Sequence, residues 1–240
     1  MAIYFISDLH LQPAREDLAS ALRNFVDDKI KSGDTLYILG DFFDAWIGDD
    51  EDGSFYQEIR ICLKTWVDRG ITIYFMHGNR DFLIGERFAS ETGVQLISDP
   101  TLIEHSGKKI LLMHGDSLCT QDTEYMAFRQ QVRSEPWQQQ VLSLPLDQRR
   151  IMAADLRKKS QSMNSNKAED IMDVTPAEVE KALADSSADI LLHGHTHRPA
   201  VHPLTIHSRS CERIVLGDWD KIGWYVKAGK KGVRLRNFDI

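Results

Sequence analysis

The chain has 240 residues, of which 42% are hydrophobic and 27% charged, a composition typical of one large soluble domain or of one domain with an insertion. The net charge of −7 argues against general nucleic-acid binding, which requires a basic surface. Three widely spaced cysteines argue against a disulfide framework or a structural zinc site. Residues 2–7 are typical of a strand rather than of a signal peptide, and no apolar run reaches the about 18 residues of a spanning helix. We therefore expect a cytoplasmic protein that is at most peripheral to a membrane.

Predicted strands and helices alternate along the first half of the chain. Buried apolar runs predict strands at 2–7, 35–39, 71–76, 94–97, 101–105 and 109–113. Helical spacing of apolar residues predicts helices at 16–32, 54–69 and 82–91. This alternation predicts an α/β fold in which sheet layers are flanked by helices.

Residues 121–170 interrupt the alternation. They contain no convincing strand and many helix-forming residues, and they hold eight Lys or Arg against seven Asp or Glu, so the acidic excess lies in the rest of the chain. We predict a helical insertion within one domain that spans residues 1–240.

The last part of the chain is predicted to be rich in strands. Thr175 and Pro176 occupy the positions that open a predicted helix over 175–186, and a buried strand follows at 189–193. Further strand-like runs lie at 200–206, 212–217, 222–227 and 232–238. These four runs predict a second, largely antiparallel sheet.

Five of the predicted strands end in side chains that bind metal ions. The residues are Asp8 and His10, Asp41, Asn79, His114, and the pair His195 and His197. Ligands bind beyond the carboxyl ends of strands in open α/β sheets, so these loops are expected to converge, although each motif alone is equally typical of a turn. Carboxylate, imidazole and amide ligands without thiolate suit manganese, iron, zinc or magnesium. Seven ligands suit two ions that share a carboxylate, the usual arrangement for displacement at phosphorus.

The motifs resemble, in order, the five sequence blocks of the calcineurin-like metallophosphoesterases. They are Asp8-x-His10, Gly40-Asp41, Gly78-Asn79, His114 and Gly194-His195-x-His197. The resemblance covers nearly the whole chain outside 121–170 and implies two packed β-sheets flanked by helices. It implies further that one ion is held by Asp8, His10, Asp41 and His197. The other ion would be held by Asn79, His114 and His195, with Asp41 bridging the two.

Arg80 departs from the pattern of many family members, which carry there a histidine that helps to protonate an alcohol leaving group. A guanidinium stays charged and cannot donate that proton, but it binds phosphate oxygens well. A departing phosphate needs no such acid, because it leaves readily as an anion. Arg80 therefore indicates a pyrophosphate substrate, and we assign catalytic roles to Asp41, Asn79 and Arg80.

Four longer motifs resemble those of one particular group of metallophosphoesterases. They are YILGDFFDAWIGDD at 37–50, HGNRDFL at 77–83, MHGD at 113–116 and HGHTHRP at 193–199. Together they resemble the UDP-2,3-diacylglucosamine pyrophosphohydrolases, a family of bacterial lipid A biosynthesis. The resemblance implies an acylated UDP-glucosamine lipid as substrate, two Mn²⁺ per chain, and UMP and 2,3-diacylglucosamine 1-phosphate (lipid X) as products. It also implies a peripheral location on the cytoplasmic face of the inner membrane.

The insertion then has an expected role in binding substrate. Arg157, Ser160, Asn164 and Lys167 share one helical face, a pattern that by itself favours an ordinary solvated face. The resemblance instead implies that Asp122, Ser160, Asn164 and Lys167 bind the glucosamine phosphate. The predicted substrate-binding set is completed by Asn79, Arg80, Arg157 and His195. Candidates for an acyl-chain groove are Trp46, Phe82, Leu83, Phe128, Ile151, Met152 and Met172.

The same residues predict which of the two phosphorus atoms of the pyrophosphate is attacked by water. Arg80 and the polar face of the insertion would hold the phosphate that leaves with the lipid, so metal-activated water would attack the uridine-side phosphorus. Two alternatives remain at this point. One is another dinuclear phosphoesterase, such as a nucleotide or protein phosphatase, and the other is a scaffold that has lost its metals. The complete set of seven ligands argues against the scaffold.

Overall fold

The computed structural model describes residues 1–164 and 173–240, and for 160–164 it describes the backbone alone. The strands are β1 (Ile3–Ile6), β2 (Thr35–Leu39), β3 (Thr72–Met76), β4 (Gln95–Ile97), β5 (Thr101–His105), β6 (Lys108–Leu112), β7 (Ile190–His193), β8 (Ala200–Ile206), β9 (Arg209–Val215), β10 (Ile222–Gly229) and β11 (Gly232–Asp239). The helices are α1 (Glu16–Lys29), α2 (Ser54–Asp68), α3 (Glu86–Thr92), α4 (Thr123–Val132), α5 (Glu135–Leu142), α6 (Leu146–Asn164) and α7 (Pro176–Ser186). Among these described helices, none combines the length and the apolar character that crossing a membrane requires.

The strands form two mixed sheets, which confirms the predicted fold class. One sheet has the order β11-β10-β1-β2-β3-β4 and the other the order β5-β6-β7-β9-β8. Strands β1 to β4 run parallel to one another, as do β6, β7 and β9. Phe5, Leu39, Leu112 and Leu192 belong to a buried apolar cluster shared by both sheets, so the parallel strands of the two sheets are packed face to face.

The prediction of a separate antiparallel sheet near the end of the chain is wrong. Strands β8 and β9 join β7 in the second sheet, whereas β10 pairs antiparallel with β1 and brings β11 into the first sheet. Strand β10 is buried on both faces: Tyr225 packs in the cluster beneath α1, and Val226 packs between the sheets. A strand that is buried on both faces is stable only inside a sheet. By pairing with the open edge of β1 on one side and with β11 on the other, β10 takes such an inner position.

Helix α3 begins four residues later than predicted, at Glu86 rather than at residue 82. The carboxylate of Asp49, which lies in the loop after β2, accepts the backbone N–H groups of Gly85 at 3.0 Å and Phe88 at 2.9 Å. These are donors of the first turn, which have no partner within a helix. A residue distant in sequence therefore fixes where the helix starts. Helix α7 begins at Pro176 as predicted, with Thr175 as its N-cap.

Residues 121–164 contain the helices α4, α5 and α6 and no assigned strand. Arg149 of α6 is almost fully buried and ties this insertion to the loop after β2. Its Nη1 donates to the carbonyl oxygen of Ile47 at 2.6 Å and to the carboxylate of Asp50 at 2.7 Å. Gly48 lies between these partners with φ +134°, and a Cβ there would stand 2.3 Å from the same guanidinium. This buried cation is thus one of the contacts that hold the insertion against the loop after β2.

We expect Arg149→Ala to lower the free energy of unfolding by about 1–3 kcal/mol, because the Ile47 carbonyl would remain buried without its charged donor. Equilibrium unfolding in urea measures this difference. Arg87→Ala, which removes an exposed arginine of α3, serves as the control and should change it by less than about 0.5 kcal/mol. Equal stabilities of the two variants would show that Arg149 does not anchor the insertion.

Candidate metal centre

The seven predicted ligands all follow the carboxyl ends of parallel strands. Asp8, Asp41 and Asn79 come after β1, β2 and β3 of one sheet, and His114 and His195 come after β6 and β7 of the other. Because the two sheets pack face to face with these strand ends at the same edge, the loops meet. Backbone hydrogen bonds join them, for example from Asp8 N to Gly40 O at 3.1 Å and from Gly194 N to His114 O at 2.8 Å.

The side chains form two groups. Asp8, His10 and His197 lie together: the Nε2 atoms of the two histidines are 3.2 Å apart, and His197 Nε2 is 3.5 Å from Asp8 Oδ1. Asp8 also lies with Asp41 and His114, so by distance it is the member common to both groups. The bridging role assigned to Asp41 stays a prediction.

Asn79 and His195 complete the second group. The Oδ1 atom of Asn79 lies 2.9 Å from His114 Nε2 and 2.8 Å from His195 Nδ1. His114 Nε2 is also 3.6 Å from Asp41 Oδ1. An amide oxygen, a carboxylate oxygen and two imidazole nitrogens thus face a common point.

The chain is bent sharply at these positions. Five of the seven residues have left-handed backbones, which are uncommon for residues other than glycine and cost about 1 kcal/mol or more each. The φ angles are 56° at Asp8, 50° at His10, 51° at Asp41, 67° at His195 and 55° at His197. Such outliers concentrate at functional sites, where the surrounding structure holds the strain.

Two glycines allow the backbone to approach the carboxylates. A Cβ at Gly78 would lie 2.2 Å from Asp41 Oδ1, and one at Gly194 would lie 2.1 Å from Asp8 Oδ2. The Gly-Asn and Gly-His motifs therefore require glycine, because a larger residue at either position would clash with a carboxylate. Asp81, fully buried, accepts the backbone N–H groups of Gly78 at 2.7 Å and Phe42 at 2.8 Å, and so it joins two of the loops.

The donor set fits divalent cations. His114 Nδ1 lies 2.9 Å from the carbonyl oxygen of Leu39, which can only accept, so Nδ1 carries a hydrogen and Nε2 presents a lone pair whenever the imidazole is neutral. That lone pair faces the oxygen atoms of Asn79 and Asp41, which are also electron-pair donors. These converging lone pairs need a positive charge among them, which either a proton on Nε2 or a metal ion supplies. The arrangement is therefore that of a cation site.

The pKa shifts of these residues also favour a cation site. Burial opposes charge on His114, but the carboxylates around it, Asp41 first, outweigh burial and raise its pKa to about 9. Burial is the largest cause that raises the pKa of Asp41 to about 7, and the charges of Asp81 and Asp8 add to it. Burial is also the largest cause that lowers the pKa values of His10 and His195 to about 3, and neighbouring positive charges add to it. The two imidazoles are therefore neutral near pH 7, with lone pairs available. A cation at the centre would keep Asp41 ionised and take the place of the proton on His114.

Arg80 lies beside this centre. Its side chain is mostly buried, its Nε is 3.9 Å from Asp41 Oδ2, and that nitrogen has no hydrogen-bond partner within the described part of the chain. Arg80 borders a cavity of about 510 Å³ between the metal centre and the insertion. The cavity is also lined by Asn79, Asp122 and Arg157, three of the predicted substrate-binding residues.

The other predicted substrate-binding residues lie in the metal centre, along the cavity, or outside the described residues. His195 lies in the second ligand group, as described above. Ser160 and Asn164 belong to α6, but their side chains lie outside the described residues, as do Lys167 and Met172. Five of the groove candidates line the cavity: Trp46, Phe82, Leu83, Phe128 and Met152. Ile151 does not line this cavity and is 63% exposed.

Three residues of α4 that the sequence did not single out connect the insertion to the centre. They are Tyr125 and Arg129 within the helix and Arg133, its C-cap, and they are spaced four apart. Buried Asp116 accepts the Tyr125 hydroxyl at 2.8 Å and Arg129 Nε at 2.7 Å. Arg133 Nη2 donates to the carbonyl oxygen of Gly78 at 2.8 Å. The four-residue spacing of two arginines and a tyrosine was the available signal, but by itself it is equally typical of a solvated face.

Comparison with known proteins agrees with this geometry. The sequence model of the calcineurin-like phosphoesterases matches residues 1–199. The UDP-2,3-diacylglucosamine hydrolase of Cellvibrio japonicus is 52% identical over 240 residues, covering 100% of both chains. That of Marinobacter nauticus is 50% identical over 238 residues, covering 99% of this chain and 98% of the relative. Among solved structures, an archaeal phosphodiesterase shares the fold, with a TM-score of 0.50 at 15% identity over 100% of both chains. The chain therefore belongs to the calcineurin-like phosphoesterase family and, within it, to the UDP-2,3-diacylglucosamine hydrolases.

Proposed function

We propose that this chain hydrolyses the pyrophosphate bond of UDP-2,3-diacylglucosamine, giving UMP and 2,3-diacylglucosamine 1-phosphate. The observation that carries the proposal is the position of the cavity. An apolar cavity of about 510 Å³ opens directly beside Asn79 and Arg80, so a lipid and a phosphate can be bound side by side. The names of the relatives agree with this substrate.

We propose that the centre holds two divalent ions. Its carboxylate, amide and imidazole donors without thiolate suit manganese, iron, zinc or magnesium, and among these the family resemblance favours manganese. Asp8, His10, Asp41 and His197 would hold one ion, and Asp41, Asn79, His114 and His195 the other. When bound, such ions activate water and neutralise phosphate charge. The protein positions these donors by the strained loops and the close glycine contacts described above.

Arg80 and Arg157 would bind the phosphate that leaves with the lipid. Both line the cavity, and the pKa of Arg157 is lowered by burial and by the charge of Arg80 beside it. Two guanidinium groups that line one cavity favour an anion between them. Asp122, Ser160, Asn164 and Lys167 would bind the sugar phosphate from the insertion.

The reaction then follows from these positions. Water attacks the uridine-side phosphorus, and the bond from that phosphorus to the bridging oxygen breaks. UMP takes up the oxygen of water, and the bridging oxygen leaves with the lipid phosphate, whose charge Arg80 neutralises. Since the leaving group is a phosphate anion, no side chain needs to protonate it.

The assay for this proposal compares two substrates. The purified protein with Mn²⁺ should release UMP from UDP-2,3-diacylglucosamine and should hydrolyse p-nitrophenyl phosphate far more slowly. Chelation should abolish UMP release, and Mn²⁺ should restore it best among divalent ions. Faster turnover of p-nitrophenyl phosphate than of the UDP-lipid would favour a general phosphatase instead.

We propose further that the insertion meets the membrane in which the substrate lies. Phe128, Leu142 and Ile151 of this insertion are 38%, 42% and 63% exposed, and the exposed Lys158 and Lys159 lie on the same helix as Ile151. Exposed apolar side chains beside cations are typical of a surface that binds anionic lipid. The cavity that we assign to the acyl chains is lined on one side by the same insertion.

Ile151→Glu is expected to reduce binding to vesicles that contain phosphatidylglycerol by about tenfold, the effect of losing one buried aliphatic side chain. Co-sedimentation measures the bound fraction. Ile61→Glu is a matched control, because Ile61 is 64% exposed on α2, outside the insertion. Equal losses in the two variants, or none in either, would refute this membrane surface.

A further inference from the structure

The two histidines of the first ligand group each have a second carboxylate behind them. His10 Nδ1 lies 4.0 Å from Asp44 Oδ1, and His197 Nδ1 lies 3.7 Å from Asp218 Oδ2. The Nε2 atoms of the same rings lie 3.2 Å apart on the opposite side. Each imidazole therefore stands between the centre and a carboxylate that is not among the seven predicted ligands.

In the second group one histidine, His114, has an acceptor behind it at hydrogen-bond distance. There the carbonyl oxygen of Leu39 lies 2.9 Å from His114 Nδ1 and leaves Nε2 facing the centre. A neutral imidazole can carry its hydrogen on either nitrogen, and only the tautomer with Nδ1–H presents a lone pair at Nε2. Histidines that bind metals usually donate their other N–H to a carboxylate or carbonyl, which fixes the tautomer and makes the ligand more basic.

Asp44 has a second contact that Asp218 lacks within residues 1–164 and 173–240. Arg157 Nη2 of α6 lies 2.7 Å from Asp44 Oδ1. Within the same described residues, Asp218 pairs with His197 alone. Asp44 is also the more enclosed of the two, with a side chain that is 15% exposed against 42% for Asp218. Asp44 thus connects a predicted metal ligand to the insertion.

We propose that Asp44 and Asp218 are positioning residues of the metal centre. At 4.0 and 3.7 Å these contacts are longer than hydrogen bonds, and His10 Nδ1 is buried with no hydrogen-bond partner in the described residues. With the ion bound, each carboxylate would accept the Nδ1–H of its histidine and direct the Nε2 lone pair towards the ion. Asp44 has the additional role of holding Arg157, so that the same carboxylate orients His10 and keeps the insertion over the centre. This inference rests on the proposed two-ion function, and its test is read first from metal binding, without substrate.

The first measurement is calorimetric titration of Mn²⁺ into protein stripped of metal. Asp44→Ala and Asp218→Ala should each weaken binding at one of the two sites by about 10–100-fold, the usual effect of removing such a partner. Asp68→Ala removes an exposed carboxylate of α2 and should bind Mn²⁺ as the wild type does. Wild-type affinity in Asp44→Ala and Asp218→Ala would overturn the positioning role.

The second measurement detects the tautomer itself. In the Mg²⁺-loaded protein, ¹⁵N chemical shifts should show His10 and His197 protonated at Nδ1. The substitution of Asp44 should allow a mixture of tautomers at His10 alone, and that of Asp218 a mixture at His197 alone. A lesion that merely loosened the fold would change both histidines together. Unchanged shifts in both variants would refute the assignment.

Steady-state kinetics with saturating Mn²⁺ distinguishes the second role of Asp44, which is to hold Arg157, from its first role, which is to orient His10. Asp44→Asn keeps an oxygen that accepts from His10 but loses the charge that holds Arg157. It should therefore recover most of the lost Mn²⁺ affinity and still raise KM for the UDP-lipid by about fivefold, whereas Asp218→Ala should leave KM unchanged. A wild-type KM in Asp44→Asn would refute the link to the insertion. If the wild type releases no UMP, the proposed function fails, while the Mn²⁺ titration still decides the positioning claim.

Discussion

Asp41→Ala is expected to abolish UMP release and to lower the metal content of the purified protein to well below two ions per chain. Asp41 is 2% exposed, and its carboxylate lies 3.6 Å from His114 Nε2 while it accepts the backbone N–H of Arg80 at 2.9 Å. Removing it takes away the carboxylate assigned to both ions and the acceptor that fixes the Asn79–Arg80 loop. Because metal activation contributes several kcal/mol, the rate should fall by about 10³-fold or more.

Metal analysis and the UMP assay together test this expectation. Asp28→Ala, which removes an exposed carboxylate of α1, should retain two ions and full activity. A folded Asp41→Ala protein with wild-type activity would contradict the two-ion account. A fall in activity with two ions still bound would show that Asp41 acts on the substrate rather than on the metals.

Arg80→Ala should lower kcat by about 10²–10³-fold and change KM for the UDP-lipid by less than about tenfold. The reason is that the charge Arg80 neutralises develops on the departing phosphate as the bond breaks. Its Nε is buried without a hydrogen-bond partner in the described residues, so the group is free to bind a phosphate oxygen. Arg80→Lys should recover only part of the rate, because an ammonium keeps the charge but loses the planar fork.

Steady-state kinetics on protein with verified metal content distinguishes these effects. Arg87→Ala is the control, since that arginine is exposed and pairs with Glu91 on α3. If Arg80→Ala raised KM and left kcat unchanged, Arg80 would bind the ground state and have no special role in bond breaking.

The predicted ligands could be found from the sequence because each one lies two to four residues after the end of a buried strand. Asp41 follows Leu39 by two residues and His114 follows Leu112 by two, so the strand ends alone place them at one edge of the sheets. The fold class follows from the same alternation. The ligand roles themselves stay a prediction until metal is measured.

The pairing of β10 and several residues around the centre could not be predicted from the sequence, for physical reasons. Whether β10 pairs with β9 or with β1 depends on which edge is open in the folded protein, and its own pattern of apolar residues does not contain that information. Arg129 and Arg133 look like solvated side chains until buried Asp116 and the carbonyl of Gly78 are located beside them. Asp44 and Asp218 stand in loops with many carboxylates, and only the orientation of the two imidazoles distinguishes them.

Hydrolysis of UDP-2,3-diacylglucosamine in water enriched in ¹⁸O tests the central claim most directly. The account places attack at the uridine-side phosphorus, with Arg80 on the departing lipid phosphate. Mass spectrometry of the products should therefore find one ¹⁸O atom in UMP and none in 2,3-diacylglucosamine 1-phosphate. Label in the lipid product would show that the substrate lies in the opposite direction across the centre, and no release of UMP would contradict the proposed reaction itself.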